Sequence, residues 1–246
     1  MSGIYGINPV REALKKGRVE GELLVQKGKN TPSIESIIKT AKKAGIIVRR
    51  SSREELTREA GAVNHQGLIL LTASAFKYAD IVDVIEKWKK SGEKGFFVLL
   101  DSVQDPQNLG SILRTAHSAG ACAVIIPKDR SVKVTSVAVK ASAGAAMHIP
   151  VAIVTNMVQA IKTLKEEGVW VYGIEAECGE SVYSFDLTGD VAIVIGSEGE
   201  GIRRLVSKEC DQLMNIPMKG EVNSLNAAQA GAVTFFEVLR QREAKG

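Results

Sequence analysis

Cysteine and histidine are both scarce in this chain. Cys122, Cys178 and Cys210 stand far apart, and no C-x-x-C pair occurs. An odd, scattered set builds neither a disulfide framework nor a thiolate zinc site. His65, His117 and His148 show no metal-ligand spacing, so no metal partner is expected. No apolar run nears the ~20 residues of a membrane span, and no membrane partner is expected either. The opening MSGIYGINPVREALKK lacks a charged stub leading into an apolar stretch, so it does not read as a signal peptide. A cytoplasmic location is the expectation.

What is present is ordinary for a soluble α/β protein. The 246 residues are 45% hydrophobic and 24% charged, enough for one large domain or two smaller ones. The net charge of +4 is modest, but its distribution is uneven. Residues 1–75 hold 13 Lys and Arg against 7 Asp and Glu, hence +6; the remainder holds 19 against 21, hence −2. A basic front end fits a polyanion partner, and equally a solvated basic surface.

The front third alternates strand and helix signals. NPVREALKKG (8–17) reads as a short helix, and GELLVQ (21–26), GIIVRR (45–50) and HQGLILLT (65–72) read as strands. Thr31 then Pro32 open a second helix, with Gly45 beyond its end. Ser52 and Glu55 form a capping box for a third. This is a small α/β unit over 1–74. Residues 75–94 read as a linker and a first helix around DIVDVIEKWKK. From 95 to 246 the strand candidates are FFVLL, AVIIP, HIPVAIV, WVYGIE, VAIVIG and QLMNIPM, most of them separated by helix signals. Near-continuous Val/Ile runs between helices predict a parallel sheet covered on both faces.

Ligands in open parallel sheets bind beyond the carboxyl ends of the strands. Three loops stand out there. The first, DPQNLGSILRTAHSAG (105–120), follows FFVLL and has neither phosphate fingerprint, G-x-G-x-x-G nor G-x-x-x-x-G-K-[ST]. Asn108 can belong to its loop or cap, while Arg114, six residues on, projects from the helix body about 240° away. Arg114 is either a surface residue in a salt bridge or a fork for a phosphate or carboxylate. The second, IVIGSEGEGIRRL (193–205), has Gly196, Gly199 and Gly201 around Ser197 and Glu198. Such a loop suits close backbone approach to a ligand, or an ordinary helix start with favourable acids. In the third, IPMKGEVNSLNAAQAGAVTFFE (216–237), Asn223 or Ser224 can cap a long helix with Asn226 just inside it. That helix begins with very small side chains, suited to tight packing, a flat ligand, or both.

Taken together, DPQNLGSILRTAHSAG, IVIGSEGEGI and IPMKGEVNSLNAAQAGAV resemble, in order, the three signature motifs of the SpoU/TrmH family of RNA ribose 2′-O-methyltransferases, within the SPOUT superfamily. The match spans roughly 95–240. GINPVREAL and NHQGLIL resemble the small substrate-binding domain of the subgroup that modifies a guanosine in 23S, large-subunit, ribosomal RNA. The resemblance implies a small N-terminal α/β RNA-binding domain and a C-terminal parallel-sheet α/β methyltransferase domain with a deep trefoil knot. It implies a homodimer whose site is completed across the interface. It further implies that the second and third loops cradle S-adenosyl-L-methionine, through Gly196, Ser197, Gly201, Ile216 and Leu225.

The resemblance gives the catalytic roles to Arg114, Asn108, Glu198, Ser224 and Asn226. Arg is nearly always protonated, so a grip on the RNA phosphate suits Arg114 better than removal of a proton. Asn108 would position Arg114 or the ribose, and Glu198 would orient Arg114 or RNA groups. In the third motif many relatives read S-L-N-V-S-V-A. Here Ala227-Ala228-Gln229-Ala230 follows Ser224-Leu225-Asn226, so a hydroxyl is lost and a Gln gained. The expected consequence lies in helix packing or the dimer contact. Two alternatives stand beside ribosomal RNA methylation: ribose methylation of transfer RNA, and a non-catalytic RNA-binding assembly factor. The separate N-terminal domain favours the ribosomal substrate, and the intact polar site residues argue against the non-catalytic factor.

Overall fold

The computed structural model describes residues 2–15, 21–61, 64–72, 76–176, 180–197, 199–221 and 224–245. The chain runs β1 (Ser2–Tyr5), α1 (Ile7–Lys15), β2 (Gly21–Gln26), α2 (Pro32–Lys43), β3 (Ile47–Ser51), α3 (Arg53–Ala60) and β4 (Leu68–Thr72). Then come α4 (Ile81–Ser91), β5 (Phe96–Leu100), α5 (Pro106–Ser118), β6 (Ala123–Pro127), α6 (Ser136–Ala141), β7 (Val151–Val154) and α7 (Met157–Glu166). The last elements are β8 (Trp170–Ile174), β9 (Val191–Ile195), α8 (Arg204–Ser207), β10 (Gln212–Met214) and α9 (Ala227–Lys245). No helix among the described residues is long and apolar enough to cross a membrane.

Contacts divide the chain into two compact units. The first is Met1–Lys77 with Val134–His148, and the second is Tyr78–Lys133 with Ile149–Gly246. The sequence expectation of one domain over 95–246 differs here by the segment Val134–His148. The segment 134–148 joins the first unit because α6 packs on β1 and α1, and Met147 packs against that unit's core.

The first unit is a four-stranded sheet of order β1-β4-β2-β3. β2 and β3 pair in parallel, and β4 runs antiparallel to β1 and β2. Its strands feed cores on both faces. Leu23, Val25, Leu68 and Leu70 join Val10, Ile34 and Ile37 on one side. Leu24 and Ile69 meet Tyr5 and Leu56 on the other. The helix starts follow local chemistry. Thr31 accepts from the Ile34 amide ahead of Pro32. The Ser52 hydroxyl accepts from the Glu55 amide at 3.1 Å, and the Glu55 carboxylate accepts from the Ser52 amide at 3.0 Å. β1 was not read from the sequence.

The second unit is a six-stranded sheet of order β10-β8-β9-β5-β6-β7, parallel throughout. Every residue of β5, β6 and β9 is buried, which is why they read as unbroken apolar runs. Because all six strands point the same way, the loops following β5, β6, β8, β9 and β10 emerge at one edge of the sheet.

Candidate functional site

The first loop starts at Asp101, a carboxylate with no solvent exposure at the end of β5. It turns into α5 through Asp105, whose carboxylate accepts from the Gln107 amide at 2.9 Å. Asp105 is therefore the cap, followed by Pro106 at the first helical position. Asn108 is neither loop nor cap but the third residue of α5. Proline has no amide to satisfy and its φ suits a helix start, so the acid immediately before it takes the capping role. Leu109, Gly110, Ile112, Leu113 and Ala116 of α5 are buried, and the helix packs on α9. Arg114 is exposed and has no hydrogen-bond or ion-pair partner among the described residues.

The second loop closes on itself. The Ser197 amide donates to the Gly201 carbonyl at 3.1 Å, and the Gly201 amide returns a bond to Ser197 at 3.0 Å. Two carboxylates then hold the chain that leaves it. Glu175 accepts from the Ile202 amide at 3.0 Å. Asp101 accepts from the Arg203 amide and Nε, each at 2.8 Å, and from Nη2 at 2.5 Å. The hydrogen bond to Asp101 raises the Arg203 guanidinium further above its already high value. Glu198 lies outside the described residues.

In the third loop the cap is Asn226, not Asn223 or Ser224. Its side-chain oxygen accepts from the Gln229 amide at 2.8 Å, and the Gln229 side chain accepts from the Asn226 amide at 3.3 Å. This is a reciprocal capping arrangement with Gln at the third helical position. The Gln that departs from the family pattern thus adds the return bond to the Asn226 cap. Asn223 lies outside the described residues. The small residues of α9 let it approach β9 closely: a methyl added at Gly231 would lie 3.1 Å from Ile195.

Between the second and third loops is a cavity of about 420 Å³, over the carboxyl ends of β8 and β9. Gly196, Ser197, Gly201, Ile216, Ser224 and Leu225 all line it, so the structure brings these six sequence candidates together. Asn108, Arg114 and Asn226 do not line it. Ala227, one of the small residues that open α9, does; Glu175 and Met218 line it as well, and sequence reasoning missed these two. It also missed Asp101 and Arg203. A signal existed for the two acids: Asp101 directly ends FFVLL, and Glu175 directly ends WVYGI. A carboxylate at the exit of a buried parallel strand sits at the ligand-binding edge.

The cavity's size is that of a small-molecule site. It offers apolar walls from Ile174, Ile195 and Ile216, together with two hydroxyls and the backbone of a glycine loop. Such a lining suits a flat heterocycle with a polar tail.

Comparisons with known proteins identify the family. Residues 95–236 match the SpoU rRNA Methylase family. Residues 4–78 match the family described as RNA 2'-O ribose methyltransferase substrate binding. The 23S rRNA (guanosine-2'-O-)-methyltransferase RlmB of Xanthomonas campestris pv. campestris is 41% identical over 241 residues, covering 97% of this chain and 96% of that protein. The AdoMet-bound rRNA methyltransferase from Sinorhizobium meliloti superposes with a TM-score of 0.79 at 25% identity, over 97% of this chain and 87% of that one. The SpoU methyltransferase AviRb from Streptomyces viridochromogenes shares the fold, with a TM-score of 0.81 at 22% identity over 98% and 90% of the two chains. The chain belongs to the SpoU rRNA methylase family.

Proposed function

We propose that this protein transfers the methyl group of S-adenosyl-L-methionine to the ribose 2′-hydroxyl of a guanosine in 23S ribosomal RNA. The cavity over β8 and β9 carries this reading, supported by the 41% identity to a 23S rRNA enzyme along nearly the whole of both chains. Gly196, Ser197, Gly201, Ile216 and Leu225 would hold the cofactor, the glycine loop through its backbone and the apolar residues against the adenine. When bound, the cofactor supplies a methyl already activated on a sulfonium.

The protein's own part is to place the hydroxyl in line and to ease loss of its proton. A guanidinium is a poor base, so the work assigned to Arg114 is to grip a phosphate beside the target ribose and polarise the hydroxyl. It lies on none of the described cavities of one chain, yet it is exposed and unpartnered among the described residues. This fits a homodimer in which Arg114 reaches the partner's cavity. Asn108 in the same helix would support Arg114, and Glu198 would orient it or the RNA. Ser224 would face the cofactor. Asn226, its side chain engaged as the cap, would fix the neighbouring Leu225 and Ala227 against the cavity. The deep trefoil threading of the C-terminal loops belongs to the same reading.

Labelled cofactor incubated with 23S ribosomal RNA and, separately, with small RNAs tests the proposal. Label entering 23S RNA is expected; label in small RNAs alone would overturn it. Arg114→Ala should lower turnover by about a hundredfold or more while leaving cofactor affinity within about twofold.

A further inference from the structure

A second cavity of about 600 Å³ adjoins the first and shares Ser197, Gly199 and Glu200 with it. It sits over the carboxyl ends of β5, β6 and β9, and its other walls include Ser102, Gln104, Arg130 and Arg203. Four described non-glycine residues have positive φ: Gln66, Ser102, Arg130 and Ala143. Only Ser102 (φ 67) and Arg130 (φ 57) belong to the second unit, and both line this cavity. Side chains adopt that conformation at a cost, and such strain concentrates where a ligand is held.

The strained loops are fixed in place. The Val132 amide donates to the Val103 carbonyl at 3.0 Å, and the Ser131 hydroxyl donates to the same carbonyl at 3.2 Å. Lys133 donates to the Pro127 carbonyl at 3.0 Å. Arg130 therefore stands on a held loop. It is exposed, and it has no partner among the described residues. Arg203 uses Nε and Nη2 on Asp101, leaving Nη1 to donate elsewhere. Beyond these two arginines lies a third cavity of about 450 Å³, over the ends of β6 and β7, which Arg130 and Arg203 also line. Arg130 and Arg203 thus line both cavities.

We propose that the second cavity seats the methyl-accepting nucleotide, and that Arg130, with Arg203, grips the phosphate joining it to a neighbour in the third cavity. A polynucleotide places a phosphate between successive nucleosides, and guanidinium forks match phosphate oxygens. Shared walls with the cofactor cavity bring the nucleotide's ribose beside the cofactor. A ribose is flanked by two phosphates, so Arg130 and Arg114 serve different ones. This assignment rests on the methyl-transfer reading above.

The test uses the full-length protein, a 23S RNA fragment, S-adenosylmethionine, and the variants Arg130→Ala, Arg130→Lys and Arg130→Gly. Arg130→Ala should raise the KM for RNA about tenfold with cofactor Kd unchanged. The slope of log affinity against log salt should fall by about 0.7, one phosphate contact on a single strand. Arg130→Lys should keep the salt slope. Arg130→Gly should melt no lower than wild type, because glycine adopts φ 57 freely, yet share the KM defect. Wild-type KM and salt slope in Arg130→Gly would overturn the proposal. So would a defect confined to cofactor binding, or a lower melting temperature accompanied by normal RNA affinity. Suppose wild type binds RNA but transfers no methyl, and the salt slope still drops in Arg130→Ala. The methyl-transfer reading then fails while the phosphate contact stands.

Discussion

Gly196 is the position where one methyl group should do most damage. Its glycine is required by space: an added Cβ would meet the Gly201 carbonyl carbon at 2.0 Å, its oxygen at 2.2 Å and the Ile202 amide nitrogen at 2.3 Å. All three are backbone atoms, so no side chain can swing away. In Gly196→Ala the 197–203 segment must move, and the mutual bonds of Ser197 and Gly201 open with it. Overpacking costs about 1–3 kcal/mol, and two lost backbone bonds add about 1 kcal/mol each. The sum is about 3–5 kcal/mol, or about 10 °C or more in melting temperature for a chain of this size. Gly199 in the same loop is the control, since nothing lies within 4 Å of its added Cβ; Gly199→Ala should melt within about 2 °C of wild type. Thermal unfolding reads both variants. Calorimetry with S-adenosylmethionine should show at least a tenfold loss of affinity in Gly196→Ala. A Gly196→Ala protein that melts and binds cofactor like wild type would refute the assignment of this loop as a rigid cavity wall.

Two further outcomes follow from the hydrogen bonds. The Gly67 amide donates to His65 Nδ1 at 3.0 Å, which requires a neutral ring. Burial, with Lys29, Arg53 and Lys140 nearby, holds the His65 pKa below its ordinary value. The unfolded chain therefore binds a proton near pH 6.5 that the folded chain refuses. His65's contribution to stability is full above that pH and declines as the pH falls towards the lowered folded value. Proton NMR of the ring should show a midpoint below 6.5, and a midpoint above it would contradict the bond to Gly67. At the start of α9, Asn226→Ala should cost about 1–2 kcal/mol, and Gln229→Ala, which spares the shorter bond, about 0.5 kcal/mol. Urea unfolding gives the order, and a larger loss at Gln229 would sink the capping assignment.

The parallel sheet was legible because burial on both faces writes itself as unbroken apolar strands, and α2 and α3 were legible because their caps are local. Local chemistry failed where several residues compete for one role. Asn223, Ser224 and Asn226 are all good caps by residue type, and the cap is Asn226, with Gln229 three residues beyond returning the bond. Asp105 outranked Asn108 because Pro106 fixes where the helix begins. β1 escaped because four residues carrying Gly3 show no alternation of their own; Ser2–Tyr5 is a strand only by pairing with β4. The same limit hid the architecture of the site. Asp101 and Arg203 are 102 residues apart, and Glu175 and Ile202 are 27 apart. A carboxylate that binds a distant backbone amide leaves no pattern in either segment. What the sequence does show is an acid placed directly after a fully apolar strand, at FFVLLD and again at WVYGIE. A buried acid without partners is costly, so an acid at that position requires donors. In a parallel sheet the loops crossing the same edge are where such donors lie, which makes strand-ending acids a usable pointer to the loop that walls the ligand cavity.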